Sequence, residues 1–202
     1  DTQVSPDYLS KVKQIFKSQN TSAAVIGFSH LKSQDSAIND AIGKYENFLK
    51  TTAEKMKNAG SPYGYVSMGS TIVCTAEAYC AVGGMSRKKA TEDFYFLQEL
   101  TKYCGVHNIP ETLVFPSPRP ISRVYLGTGF RMKQMQYGFD ITNLYYSNDA
   151  FLYLSNWLQL GGIAWKVPLH KLLNNISDIH PQLVEFLKLD GIEDVWSKIQ
   201  NN

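Results

Sequence analysis

The chain has 202 residues, with 20 Lys plus Arg against 18 Asp plus Glu and a sequence pI near 8.3. A net charge of +2 is too weak a field to argue for nucleic acid or an anionic surface, and no run approaches the ~18 consecutive apolar residues of a membrane helix. Charged residues make up only 19% and aromatics 12%, a balance that fits a partner-facing surface, where charge is depleted and aromatics are enriched, and equally a Tyr-rich sheet.

Ser5-Pro6-Asp7 opens a first helix, with Tyr8, Leu9, Val12, Ile15 and Phe16 on one face. The apolar run Ala23-Ala24-Val25-Ile26-Gly27-Phe28 reads as a buried strand that ends in a loop at Ser29-His30-Leu31. A second helix is capped by Asp35 or Ser36 and closed by Gly60. Its apolar face runs from Ile38 to Met56, and Lys44, Glu46, Lys50, Glu54, Lys55 and Lys57 form a solvated face. Tyr65-Val66-Ser67-Met68 and Thr71-Ile72-Val73-Cys74 read as two paired strands, and residues 75–82 suit either a helix or a returning strand. A third helix is expected over residues 86–104, with Phe94, Phe96, Leu97, Leu100, Thr101 and Cys104 inward and Gly105 as terminator.

Residues 110–120 are rich in proline and read as a rigid connector, because proline cannot donate to a ladder. Residues 121–126 and 129–141 alternate like an antiparallel pair turning at Gly127-Thr128-Gly129. A fourth helix starts at Ser147-Asn148-Asp149 and stops at Gly161-Gly162, and Ile163-Ala164-Trp165-Lys166-Val167 reads as a short strand ended by Pro168. Two short helices follow, over residues 181–189 and 192–199. The expected fold class is α+β, with about six helices on an antiparallel or mixed sheet. One compact domain over residues 1–202 is expected, with a subdomain boundary at the connector 110–120.

Chemistry-bearing patterns are few. Cys74 and Cys80 are spaced so that a turn, but not a straight helix, brings them within bridging reach, which makes them a disulfide candidate with Cys104 left over, against the plainer reading of three buried, inert thiols. Cys104 and His107 resemble half of a zinc site or a nucleophile with its base, but a helix C-terminus disfavours the thiolate and no further ligands lie close by. Ser86-Arg87-Lys88-Lys89 has a Ser/Lys spacing seen in acyl enzymes, yet a Ser-Asp-Asn or Lys-Thr-Gly partner is missing and Ser86 reads as a helix cap. Leu126-Gly127-Thr128-Gly129-Phe130 is a fragment of a nucleotide loop without its third glycine, better explained as a hairpin turn.

A basic and aromatic segment offers the clearest binding surface, with Arg119, Arg123 and Arg131 interleaved with Tyr125, Phe130, Tyr137, Tyr145 and Tyr146. Such a pattern suits first an ordinary sheet with charged outer positions, then a protein interface and, less well, single-stranded nucleic acid. The leading expectation is a non-catalytic interaction or structural protein, a subunit of a larger assembly, secreted or in a bacterial envelope. That location draws on the Cys74/Cys80 spacing and on the Asp1-Thr2-Gln3 start, which reads as a processed or engineered end. The alternative is a thiol hydrolase or transferase using Cys104 and His107, and the third is a nucleic-acid-binding module over residues 119–146. A protein partner or an oligomer is expected, with no cofactor and no metal.

Overall fold

The computed structural model describes residues 2–87, 90–120, 124–164 and 167–200. It is α+β: a four-stranded mixed sheet in the order β1-β4-β2-β3, with nine α-helices among the described residues. The contacts divide the chain into two units. The first comprises Asp1–Glu54 and Pro62–Tyr145, and the second Lys55–Ser61 and Tyr146–Asn202.

The first unit is built on β2 (Ala23–Phe28), the apolar run recognised in the sequence. It pairs antiparallel with β3 (Ile72–Cys74) and parallel with β4 (His107–Pro116), whose other edge carries β1 (Thr2–Val4), antiparallel. Alternation along β2 sends Ala24, Ile26 and Phe28 into a cluster with Ile109, Leu113 and Val114 of β4 and with Val12 of α1 (Tyr8–Gln19). Ala23 belongs to a different cluster, with Ala78 of α3 (Ala76–Ala81) and Phe96 and Leu100 of α4 (Glu92–Cys104). Helix α2 (Ser36–Asn58) adds Ala41, Ile42 and Tyr45, which close over Met132 of α5 (Gly127–Gln136) and over Ile141. Asp35 caps α2, its carboxylate accepting from the Ala37 N–H at 2.8 Å.

The second unit is helical. Helices α6 (Asn148–Ala164), α7 (Leu169–Ile179), α8 (Pro181–Leu189) and α9 (Ile192–Gln200) surround the buried residues Leu172, Ile176 and Trp196.

Several sequence expectations are corrected. The connector expected at 110–120 does not hold over residues 110–116, which belong to the inner strand β4 (His107–Pro116). Pro110 is tolerated because the ladder skips from Ile26↔Ile109 to Gly27↔Thr112, so that Pro110 and Glu111 fall in a bulge where no ladder N–H is needed, and Pro116 is the last residue of the strand. Residues 65–68 form no strand, and β3 pairs with β2 instead. The ambiguous residues 75–82 contain a helix, capped by Thr75, whose hydroxyl accepts from the Ala78 N–H. Helix α4 starts at Glu92, six residues after Ser86, and its N-cap position is Thr91 rather than Ser86. Of the expected inward face of α4, Phe94 and Cys104 are exposed.

The hairpin expected at Gly127-Thr128-Gly129 is the start of α5, and the segment 127–136 is helical rather than extended. Residues 121–123 lie outside the described residues. Helix α6 runs through Gly161 and Gly162 to Ala164 in place of the expected stop and strand, and of that strand Trp165 and Lys166 lie outside the described residues. Helix α7 and strand β1 have no counterpart in the sequence reading.

Candidate functional site

The end of β2 sets the site. Beyond Phe28 the chain keeps an extended course beside β4, with the N–H groups of Ser29 and Leu31 donating to the Val114 and Pro116 carbonyl oxygens at 3.1 and 2.8 Å. The intervening His30 N–H donates instead to Glu46 Oε1 of α2, at 2.5 Å. The ring follows it: His30 Nδ1 lies 2.8 Å from the same oxygen, and Nε2 lies 3.3 Å from the Thr128 hydroxyl at the start of α5. The His30 side chain is 1% exposed and that of Glu46 13%. Lys50, one turn along α2, holds Glu46 Oε2 at 2.9 Å and lies 4.9 Å above the Phe28 ring, which meets the His30 ring edge-on.

These contacts fix protons. Burial raises the Glu46 pKa, but hydrogen bonds from the His30 ring and backbone and from Lys50 outweigh it and hold the carboxyl down at about 2. Ionised at neutral pH, Glu46 can only accept, so Nδ1 of His30 carries its proton toward Glu46. In the neutral ring Nε2 is then the acceptor, with its lone pair toward the Thr128 hydroxyl. Carboxylate, imidazole and hydroxyl form one directed chain.

The chain opens into a cleft of about 310 Å³ at the carboxyl ends of the parallel strands β2 and β4, lined by His30, Ser70, Ser117, Arg119, Thr128 and Gly129, among others. Ligands of open parallel arrangements bind at this end. Thr128 and Gly129 sit in the first turn of α5, where amide N–H groups lack intrahelical acceptors. A second cleft of about 670 Å³ shares the Val124 and Leu126 walls and is also lined by Ser67 and Asp93. Burial pushes the Asp93 carboxyl up, against the pull of the Phe94 and Gly69 N–H groups it accepts from. Ser67 Oγ is buried with no hydrogen-bond partner among the described residues.

The residues singled out in the sequence fall elsewhere, with one exception. Arg119 stands at the rim of the smaller cleft. Arg123 lies outside the described residues. Arg131 lies on α5, its guanidinium carbon 5.8 Å from the Phe130 ring and 5.9 Å from that of Phe139, and donates to Gln134 Oε1 at 2.7 Å. Tyr125, Tyr137 and Tyr145 are exposed, and Tyr146, in the second unit, meets the Phe151 ring at 6.2 Å. Thus Phe130, Arg131 and Lys133 belong to a helix where a sheet face was expected.

Cys74, Cys80 and Cys104 are all free. Cys104 Sγ bonds to the Leu100 and Gly105 carbonyl oxygens, and no hydrogen bond joins it to His107 among the described residues. Partial burial pushes the Cys104 thiol up, away from thiolate. No group of three His, Cys, Asp or Glu residues is placed to hold a metal ion among the described residues. No helix there is long and apolar enough to cross a membrane.

Sequence reasoning passed over Glu46 as part of a solvated face, because its spacing from Lys50 is that of an ordinary helix-surface pair. It passed over Thr128 as part of a turn. One signal was available: His30 comes two residues after a fully apolar strand, where a buried polar side chain calls for a partner. Compared with known proteins, the chain matches no family model, no curated protein and no solved structure.

Proposed function

We propose that the protein is an enzyme that uses His30 as a general base in the cleft at the ends of β2 and β4, transferring a group from a small substrate to water. The observation that carries this reading is the Glu46–His30–Thr128 chain, a half-buried carboxylate orienting a buried imidazole whose other nitrogen meets a hydroxyl beside open space. A buried imidazole needs a polar partner, and carboxylate–imidazole pairs in clefts cluster where proton transfer is needed. Arg119 at the rim favours substrates with a negative group.

The test is a panel of short-chain p-nitrophenyl esters and p-nitrophenyl phosphate, assayed with the wild type and with His30→Gln. Turnover falling by about 100-fold or more in the variant is expected, the usual contribution of a positioned general base. Absence of turnover across the panel, or turnover indifferent to His30, overturns the reading.

A second reading is favoured by a separate observation. Tyr125, Tyr137 and Tyr145 are 72%, 80% and 76% exposed, and exposed aromatics are the usual anchors of protein interfaces. On this reading the chain is an interaction subunit. It predicts self-association or capture of a partner that weakens in Tyr137→Ser, read by sedimentation velocity. A monodisperse monomer that retains no partner on native isolation counts against it.

A further inference from the structure

Building on the general-base reading of His30, we infer that Thr128 is a covalent nucleophile and that the substrate is a carboxylic ester, cleaved through an acyl-threonine intermediate. Three features of the site converge on this residue. Its hydroxyl is 3.3 Å from His30 Nε2, a loose contact of the kind nucleophile and base keep in an unliganded site. The Nε2 atom is held as an acceptor by Glu46, so the Thr128 hydroxyl donates toward it. Thr128 also lines the cleft together with Gly129 in the first turn of α5, whose N–H groups lack intrahelical acceptors and would serve an oxyanion formed at its hydroxyl.

The chemistry balances with an ester and water alone. Thr128 Oγ bonds to the acyl carbon while its proton passes to His30 Nε2, and the carbonyl electron pair moves onto oxygen. That pair returns as the bond to the leaving oxygen breaks, and the leaving alkoxide takes the proton from Nε2 to depart as an alcohol. Water then adds to the acyl carbon, giving a proton to Nε2. Collapse breaks the bond to Thr128 Oγ, which recovers that proton, and the carboxylic acid leaves. Glu46 holds the imidazolium in both halves as a positioning residue. The larger cleft beyond Val124 and Leu126, with the Ser67 hydroxyl, unpartnered among the described residues, in its wall, offers room for one side of the ester.

A fluorophosphonate probe tests the nucleophile without knowledge of the natural ester, because attack at phosphorus expels fluoride and leaves a stable adduct. The wild-type protein is treated with the probe and mapped by peptide mass spectrometry, in parallel with p-nitrophenyl acetate turnover by the wild type, Thr128→Val, Thr128→Ser and His30→Gln. Expected is an adduct on Thr128, absent in Thr128→Val and His30→Gln and retained in Thr128→Ser. Turnover should fall about 100-fold or more in Thr128→Val and recover in part in Thr128→Ser. No adduct on Thr128 together with wild-type turnover in Thr128→Val, while His30→Gln still loses activity, overturns the nucleophile and leaves His30 activating water directly. No adduct and turnover indifferent to both residues overturns both readings.

Discussion

At the scale of single residues, Glu46 is where charge and burial meet. Its carboxyl is held at about 2 against an ordinary value of 4.5, so the folded state binds a proton less readily than the unfolded chain. The stabilisation is therefore complete above pH ~4.5 and is lost as pH falls from there toward 2. Glu46→Gln should cost about 1–2 kcal/mol at neutral pH, the low end for hydrogen bonds to a charged group, because Lys50 is exposed and screened. Urea unfolding of both proteins at neutral pH and near pH 2 checks this, and a gap that does not narrow in acid contradicts it. The cysteines give a second residue-scale outcome. Cys74 is partly covered, and burial with the nearby Cys104 pushes its thiol up, whereas Cys80 is exposed. Iodoacetamide should therefore modify Cys80 first and Cys74 last, about tenfold apart or more, as followed by mass spectrometry of the native protein.

At the scale of elements, Gly27 separates what pattern reveals from what it hides. The strand around it was legible because six consecutive small or apolar residues admit little else than burial. Its parallel partner was not, because Pro110 argues locally against a ladder and only the bulge opposite Gly27 removes the conflict. A Cβ at Gly27 would lie 2.6 Å from the Pro110 and Glu111 carbonyl oxygens, both backbone. Gly27→Ala should therefore destabilise the chain by about 2 kcal/mol or more, since neither carbonyl can rotate away as a side chain can. Gly161 and Gly162 offer the contrast. Both sit inside α6, with nothing among the described residues within 4 Å of an added Cβ, so Gly161→Ala should stabilise by about 0.5–1 kcal/mol. Thermal unfolding by circular dichroism reads both. The glycine pair was read as a helix stop on composition alone, although a glycine ends a helix only where the backbone turns left-handed. Helix α5 was missed for the opposite reason. Its residues alternate as a strand does, and what makes them helical is Met132 packing under Ala41, Ile42 and Tyr45, a contact invisible to local pattern.

At the scale of the whole molecule, the two units carry different natural reporters. Cys74, Cys80 and Cys104 all fall in the first unit, and Trp157 and Trp196 fall in the second, Trp165 lying outside the described residues. The candidate site, made of His30, Glu46, Thr128 and Arg119, lies wholly in the first. Each unit has its own buried clusters, and that of the second is centred on Leu172 and Ile176, both fully buried, with Trp196 beside them. Removing the Leu172 side chain beyond Cβ should cost the second unit about 2–5 kcal/mol, the transfer and cavity terms together. If the clusters unfold separately, Leu172→Ala moves the tryptophan fluorescence transition to lower urea while the protection of Cys74 from alkylation keeps its wild-type midpoint. Equal movement of both transitions shows one cooperative unit instead. In the first case His30-dependent turnover persists at urea concentrations where tryptophan fluorescence reports unfolding, and in the second it is lost with it. The first outcome assigns the chemistry to the sheet-containing unit and leaves the helical one as a separable body.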